Sequence, residues 1–190
     1  MTDGAGRPFA VVDRDGTLIE DRVYLADPDG IAFLPGAIEG LRALREAGFG
    51  IVMATNQSGI ARGYFDEAAL ARIHARLTAL LAAEGLSLDA IYHCPHGPDD
   101  GCDCRKPLPG MVAQAMADFG FRADEAVFIG DTAADMGAAA ASGLTGIQVY
   151  LPAGAAPAPG ATHVAPDFAH AARVAIDLHI HKSGVAQPCT

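Results

Sequence analysis

The stretch Phe9-Ala10-Val11-Val12-Asp13-Arg14-Asp15-Gly16-Thr17 joins an uninterrupted apolar run to a polar loop. Four apolar residues without alternation are typical of a parallel strand that is buried on both faces. Two carboxylates, two residues apart, follow this strand directly, and Gly16 allows the chain to turn away sharply. Because ligands of parallel sheets bind beyond the carboxyl ends of the strands, the stretch predicts a fold class and the position of a site.

Similar apolar runs recur along the chain and alternate with helical patterns. Further strands are predicted at residues 51–54, 90–92, 126–129 and 146–150, and helices at 35–48, 66–85, 109–116, 132–142 and 167–178. This alternation predicts an α/β fold with a doubly wound, mainly parallel sheet. Residues 1–182 are expected to form a single domain and residues 183–190 a flexible tail. The segment from Asp15 to Ile51 leaves no room for an inserted cap domain, so the site should be open.

Composition and charge disfavour several classes of protein. The 190 residues are 51% hydrophobic, with a net charge of −10 and a pI near 4.9. An acidic chain does not favour nucleic-acid binding, and its apolar runs are too short to span a membrane. Since no secretory signal pattern is present, we expect a cytoplasmic monomer that acts on a small molecule.

Carboxylates after the first and fourth strands indicate phosphoryl chemistry. Asp13 is placed to attack phosphorus, and Asp15 to protonate the leaving oxygen and later to deprotonate water. Asp131, Asp13 and the backbone carbonyl of Asp15 form a set of ligands suited to Mg²⁺. Asp135 is expected outside this set, hydrogen-bonded to its loop. The alternatives are that the first two acids merely solvate a turn, and that Asp131 only caps the next helix.

Two further segments are suited to binding a phosphate group. Thr55-Asn56-Gln57-Ser58 offers a hydroxyl and successive backbone N–H groups to phosphate oxygens. Arg105 and Lys106 supply the positive charge that an anionic substrate needs in an acidic protein, although such a pair is often only solvated surface. Further cations are expected at the rim of the site, namely Arg14, Arg22 and Arg62.

A cluster of thiols and an imidazole precedes Arg105. Cys94, His96, Cys102 and Cys104 lie within eleven residues, and two C-x-[CH] pairs joined by a short loop can close a tetrahedral Zn²⁺ site. All four positions would be filled by protein, so the zinc would be structural. The alternatives are a Cys102–Cys104 disulfide, which is strained at this spacing, or free thiols.

Together and in this order, these motifs resemble the haloacid dehalogenase (HAD) superfamily of aspartate-nucleophile phosphotransferases, over about residues 9–150. More narrowly, they look like the heptose bisphosphate phosphatases, with the histidinol phosphatases as near relatives. The resemblance implies a capless, HAD-like Rossmannoid fold with a zinc-binding loop. It also implies hydrolysis of the 7-phosphate of D-glycero-D-manno-heptose 1,7-bisphosphate through an aspartyl-phosphate.

The resemblance further implies roles for individual residues. The catalytic residues would be Asp13 (nucleophile), Asp15 (acid/base), Thr55 and Lys106. The metal ligands would be Asp13, Asp15 and Asp131 for Mg²⁺, and Cys94, His96, Cys102 and Cys104 for Zn²⁺. The substrate contacts would be Asp21, Arg22, Val23, Tyr24, Thr55, Asn56, Gln57, Ser58, Arg62, Arg105, Lys106 and Thr132. Thr132 stands where this family often has lysine.

Three other functions compete with this interpretation. Histidinol-phosphate phosphatase shares the chemistry and differs only in the group beyond the phosphate. A catalytically silent, zinc-stabilised binding module is disfavoured because every chemical residue is present. A phosphomutase or phosphotransferase is disfavoured because no cap would exclude water from the aspartyl-phosphate.

Overall fold

The computed structural model describes residues 6–183, which form a parallel sheet between two layers of helices. The strands are β1 (Phe9–Val12), β2 (Gly50–Asn56), β3 (Ala90–Cys94), β4 (Ala126–Gly130), β5 (Thr145–Val149) and β6 (Ala161–Ala165). Their order across the sheet is β3-β2-β1-β4-β5-β6, and every pairing is parallel. The helices are α1 (Ala37–Glu46), α2 (Glu67–Ala83), α3 (Gly110–Phe119), α4 (Ala133–Ser142) and α5 (Phe168–Ser183). The predicted α/β fold is confirmed, and β6 extends the sheet beyond the last predicted strand.

The sheet separates two hydrophobic cores, and β1 contributes to both. Ala10 and Val12 pack in a core covered by α1, α2 and α5. Phe9 and Val11 point the other way, into a core covered by α3 and α4. All four are buried, as expected of a strand with helices on both faces. This double burial holds the carboxyl end of β1, and the residue that follows it, in a fixed place.

Side chains at the first turns determine where two of the helices begin. The Asp66 carboxylate accepts a hydrogen bond from the backbone N–H of Ala69 at 2.7 Å, so it caps α2 at the residue where the predicted helix begins. Thr132 caps α4, where its hydroxyl and the Asp135 carboxylate form a reciprocal capping box. The alternative role of Asp131 as the cap of this helix is therefore wrong.

The chain between β1 and α1 contains no inserted domain. Residues 13–36 form a loop with one short 3₁₀ helix at Pro28–Gly30 and two isolated bridges centred on Ile19. This agrees with the predicted capless architecture. In the described part of the chain, every helix is too short or too polar to cross a membrane. The predicted tail at 183–190 lies outside the described residues, apart from the last residue of α5.

Candidate active site

Asp13 and Lys106 meet at the centre of the carboxyl edge of the sheet. Asp13 follows β1, which lies between β2 and β4. The Lys106 Nζ atom lies 2.5 Å from Asp13 Oδ1 and 2.6 Å from Asp135 Oδ1, and it also donates to the carbonyl of Ala54 at 2.8 Å. The three charged side chains are almost entirely buried. The site therefore holds a largely buried lysine between two largely buried carboxylates.

Burial and charge pull the pKa values of this group in opposite directions. Burial raises the pKa of Asp13 well above its ordinary value, and the Lys106 ammonium opposes that rise. Burial alone would lower the pKa of Lys106, but the carboxylates of Asp13 and Asp135 outweigh it and raise this pKa above its ordinary value. Lys106 is thus an ammonium that is suited to neutralising a phosphate.

Asp131 completes a cluster of three acids. One carboxylate oxygen each of Asp13, Asp131 and Asp135 lies within 4.8 Å of the others. Thr17 donates its hydroxyl to Asp131 Oδ1 at 3.1 Å. Burial and the nearby Asp135 raise the pKa of Asp131 to about 6. Buried, mutually repelling oxygen donors of this kind are what a hard cation such as Mg²⁺ requires.

Gly16 allows the nucleophile loop to lie against Asp131. Its φ is +75°, and a Cβ atom there would stand 2.5 Å from Asp131 Oδ2. Any other residue would therefore push the loop away from the acid cluster.

Asp135 accepts hydrogen bonds from the backbone N–H and the hydroxyl of Thr132, as expected for a link to its own loop. The same carboxylate also pairs with Lys106.

The three arginines expected at the rim occupy different positions. Arg14 is 1% exposed, so its placement at the rim was wrong. Its Nε–H donates to both carboxylate oxygens of Asp15 at 3.1 Å, and its Nη2 donates to Gln57 Oε1 at 3.0 Å. Arg22 and Arg62 are exposed, and neither lines the cavity described below. Arg14 is buried because the path of the main chain places it beneath its own loop. The residue type alone does not reveal this burial.

The side chains of residues 55–58 mainly hold other parts of the site. The hydroxyl of the buried Thr55 accepts from Gln57 Nε2 at 2.7 Å. Asn56 donates to the backbone carbonyl of Lys106 and accepts from its N–H, both at 3.0 Å. Gln57 also donates to Asp15 Oδ2 at 2.9 Å. The amides of Asn56 and Gln57 thus orient Lys106 and Asp15, while Ser58 is half-buried.

A cavity of about 290 Å³ opens onto the acid cluster. Its lining comprises Asp13, Asp15, Asp21, Val23, Thr55, Asn56, Arg105, Lys106, Thr132 and Ala134. Arg105 is held there by a hydrogen bond from Nη1 to the carbonyl of His96 at 3.2 Å. The rings of Tyr24 and Tyr64 pack with their centroids 4.5 Å apart, which joins the loop after β1 to the loop after β2.

The ligand atoms of the predicted zinc site converge. Cys94 Sγ lies 3.6 Å from His96 Nδ1 and 3.7 Å from Cys102 Sγ, while Cys104 Sγ lies 3.3 Å from His96 Nδ1 and 3.1 Å from Cys94 Sγ. Tetrahedral Zn²⁺ sets sulfur–sulfur and sulfur–nitrogen spacings of roughly 3.5–3.8 Å, so the contacts of Cys94 with His96 and Cys102 match and the two contacts of Cys104 are shorter. Burial and the neighbouring Cys94 and Cys102 raise the pKa of Cys104 to about 12. Cys94, Cys102 and Cys104 form no disulfide, so the disulfide alternative is not observed. The four donor atoms together fit zinc.

Comparison with known proteins accounts for this arrangement. Residues 11–143 match the haloacid dehalogenase-like hydrolase family. This chain belongs to that family. It is 45% identical over 136 residues to D-glycero-beta-D-manno-heptose-1,7-bisphosphate 7-phosphatase of Pseudomonas aeruginosa, a match that covers 71% of this chain and 76% of the relative.

Two solved structures of the family are similar to this chain. The D,D-heptose 1,7-bisphosphate phosphatase of Bordetella bronchiseptica, complexed with magnesium and phosphate, has a TM-score of 0.82 at 38% identity. The match covers 90% of this chain and 98% of that one. The D,D-heptose 1,7-bisphosphate phosphatase of Burkholderia thailandensis has a TM-score of 0.66 at 30% identity, over 88% of this chain and 97% of that one.

Two polar residues that support the site were not predicted from the sequence. Gln148, buried on β5, donates to the backbone carbonyl of Asp131 at 3.1 Å and accepts from the N–H of Ala158 at 2.8 Å. His74 on α2 lies 3.3 Å from Arg14 Nη1. A signal existed for each: Gln148 interrupts an apolar strand, and His74 stands four residues after the buried Leu70.

Proposed function

We propose that this protein is a Mg²⁺-dependent phosphatase that removes the 7-phosphate of D-glycero-D-manno-heptose 1,7-bisphosphate. One observation carries the proposal: a buried Asp13 contacts the Lys106 ammonium within a cluster of carboxylates at the central strand end. The choice of substrate is supported by the names of the relatives from P. aeruginosa and B. bronchiseptica.

Two metal ions belong to the proposal. The carboxylates of Asp13 and Asp131, with the backbone carbonyl of Asp15, would hold Mg²⁺, which neutralises charge on the transferring phosphoryl group when bound. A structural Zn²⁺ would be held by the four residues whose donor atoms lie together, Cys94, His96, Cys102 and Cys104. Asp135 also lies in the acid cluster, where its carboxylate would pair with Lys106 instead of binding Mg²⁺.

In the first step, a carboxylate oxygen of Asp13 attacks the phosphorus atom. The bond between phosphorus and the sugar oxygen breaks, and Asp15 gives that oxygen a proton, so the sugar leaves as an alcohol. Lys106 and the Thr55 hydroxyl balance the charge on the phosphoryl oxygens. The product of this step is an aspartyl-phosphate on Asp13.

In the second step, a water molecule attacks the phosphorus of the aspartyl-phosphate. Asp15, now a carboxylate, takes a proton from this water, and the bond from phosphorus to Asp13 breaks. Inorganic phosphate leaves and Asp13 is restored as a carboxylate. The open cavity supports this hydrolytic outcome, because water can reach the intermediate.

Contacts to the sugar are proposed for residues around the opening. Arg105 lines the cavity and provides a planar cation suited to a second phosphate. Thr132 lines it as well, although its hydroxyl donates to Asp135 at 2.6 Å. The loop at Asp21–Tyr24 supplies the remaining contacts, and Val23 there is 75% exposed.

A panel of purified phosphate esters with Mg²⁺ tests the proposal. We expect kcat/KM on the heptose bisphosphate to exceed that on histidinol phosphate by at least about 100-fold. A higher kcat/KM on histidinol phosphate would change the proposed substrate but not the proposed phosphatase reaction. If no ester is hydrolysed, the protein is a binding module and the proposal fails.

Substituting the nucleophile gives the matched control for this panel. Asp13→Asn removes the attacking charge at nearly constant volume, so we expect kcat to fall by roughly 10³-fold or more while the fold is kept. Circular dichroism checks the fold. Turnover at the wild-type rate would exclude Asp13 as the nucleophile.

We also propose that residues 1–182 act as a single domain, as a monomer in the cytoplasm, without a nucleic-acid partner. The net charge of −10 supports the last point. Light scattering coupled to size-exclusion chromatography measures the oligomeric state, and a dimer mass would overturn that part of the proposal.

A further inference from the structure

Arg14 is the largest fully buried polar side chain of the site, and every nitrogen of its guanidinium group has a partner. Nε donates to Asp15, Nη2 donates to Gln57, and Nη1 faces His74. Asp15 and Gln57 also contact each other, at 2.9 Å. The guanidinium group therefore forms part of a closed ring of hydrogen bonds around the acid/base carboxyl group.

His74 reaches this ring from a different element. It lies on α2, four residues after Leu70, and its Nε2 is 3.3 Å from Arg14 Nη1. The contact joins the helix that follows β2 to the loop that follows β1. The side chain of His74 is half-buried, and its ring also contacts the ring of His93 at 5.8 Å between centroids.

The charge state of His74 suits it to accept a hydrogen bond. Burial, then the Arg14 guanidinium and then His93, lower its pKa to about 3. The ring is therefore neutral at neutral pH and has one nitrogen without a proton. Because a guanidinium group only donates, that nitrogen must be Nε2, and the proton resides on Nδ1.

We propose that His74 is a positioning residue for Asp15, acting through Arg14. This inference rests on the proposed function, in which Asp15 transfers protons. Arg14 contacts both oxygens of Asp15, with Nε 3.1 Å from Oδ1 and Oδ2 and Nη2 2.9 Å from Oδ2, and this two-nitrogen fork fixes the plane of the carboxyl group. His74 accepts at the opposite end of the guanidinium group and prevents that fork from rotating.

These hydrogen bonds predict which step of the proposed reaction the loss of His74 impairs. Without the acceptor, Arg14 Nη1 is left as a buried donor, and the guanidinium group turns to find another partner. Asp15 then loses its alignment with the leaving oxygen, whereas Asp13, Lys106 and the acid cluster keep their contacts. Proton donation is impaired, and nucleophilic attack is not.

Leaving-group dependence separates these two effects. The ratio kcat/KM reports the steps up to formation of the aspartyl-phosphate, in which Asp15 acts as the acid. An alkyl phosphate, here the heptose bisphosphate, needs that proton because its leaving group is an alcohol. By contrast, p-nitrophenyl phosphate has a leaving group that departs as the anion. We expect His74→Leu to lower kcat/KM about tenfold more on the alkyl phosphate than on p-nitrophenyl phosphate.

Three variants complete the experiment. His74→Gln restores an acceptor for Arg14 and should recover most of the loss. His74→Met, also without an acceptor, replaces His74→Leu if that variant does not fold. His170→Leu removes an exposed imidazole on α5, paired with Asp167 at 2.8 Å, and should leave both rates unchanged.

The outcomes distinguish the inference from the function on which it rests. If the wild-type protein hydrolyses both esters, and His74→Leu lowers both rates equally or neither, His74 does not position Asp15. If the wild-type protein hydrolyses neither ester, the proposed function and the inference fail together. A selective loss on the alkyl ester that His74→Gln reverses supports the assignment.

Discussion

Lys106 is buried between Asp13 and Asp135, and both acids depend on its charge. Its backbone is held by Asn56, so the ammonium has little freedom to follow a displaced partner. Removing one member of a buried ion pair leaves the remaining charge without compensation, which destabilises proteins by about 3–5 kcal/mol. The charge of a single side chain therefore affects stability and chemistry alike.

Replacing Lys106 with methionine tests this dependence. We expect Lys106→Met to lower the free energy of unfolding by about 3 kcal/mol in urea without divalent cations, and to abolish turnover. Arg122→Met, which removes an exposed partner of Asp124, serves as the control and should not shift the midpoint. Equal stabilities of Lys106→Met and the wild-type protein would contradict the prediction.

Single residues also show what the sequence could predict about the site. Asp13, Asp15, Thr55, Lys106 and Asp131 each follow a strand or a motif with a recognisable spacing, so their convergence was predictable. The burial of Arg14 was not, because an arginine in a loop is exposed in most proteins and only the path of the loop reverses that expectation.

At the scale of elements, Asp89 joins β2 to α1. Its Oδ2 accepts from the N–H of Ile51 at 2.7 Å and lies 2.7 Å from Arg45 Nη1. Burial raises the pKa of Asp89, but the N–H of Ile51 and the Arg45 guanidinium outweigh this and hold the pKa below its ordinary value of 3.8. The unfolded chain therefore binds this proton more readily than the folded protein does.

The sign of the pH dependence follows from that difference. The stabilisation by Asp89 is fully present above pH 3.8 and is lost as the pH falls through and below this value. We expect Asp89→Asn to be less stable than the wild-type protein near neutral pH, and the gap to narrow at about pH 3. Urea unfolding at both pH values measures the gap, and a constant gap would exclude the mechanism.

The metal-binding loop between β3 and α3 is a second element whose stability is separable from the core. The loop contributes few apolar side chains to either core, and its four donor atoms lie together. Selective removal of zinc, followed by restoration of Mg²⁺, should increase amide hydrogen exchange over residues 94–106 and lower kcat. Exchange in β5 is the internal reference. Wild-type activity in zinc-free protein would show that the loop does not support Lys106.

The strands and helices themselves were largely predictable from apolar periodicity. The main departures were at helix ends, because α3 continues to Phe119 beyond the predicted residue 116 and α5 continues to Ser183 beyond the predicted residue 178. Strand β6 escaped prediction because its burial alternates, with Thr162 and Val164 exposed at the edge of the sheet, and because His163 and Thr162 weaken its apolar pattern. Edge strands carry less hydrophobic signal than central ones.

At the scale of the whole molecule, an acidic protein brings three of its carboxylates together at the carboxyl edge of the sheet. The net charge is −10, and burial, followed by the nearby Asp135, raises the pKa of Asp131 to about 6, so ionising this acid is unfavourable without a cation. A divalent cation that binds this cluster stabilises the folded protein, because the unfolded chain has no such site.

Thermal unfolding measures this linkage without reference to activity. Mg²⁺ at about 100 times its dissociation constant should raise Tm by roughly 5 °C. Asp131→Asn should lose most of that increase, and Na⁺ at equal ionic strength controls for screening. An equal increase in Asp131→Asn and wild-type protein would place the ion elsewhere.

The side-chain amide of Gln148 links the surface segment after β5 to Asp131, a proposed ligand of Mg²⁺. Ala158 belongs to a stretch rich in alanine, proline and glycine, with no chemistry of its own, yet its N–H orients the amide whose other end steadies the carbonyl of Asp131. Insertions that draw this segment outward release the amide to rotate. We therefore expect remodelling of this surface segment to alter cation affinity while every ligand stays in place.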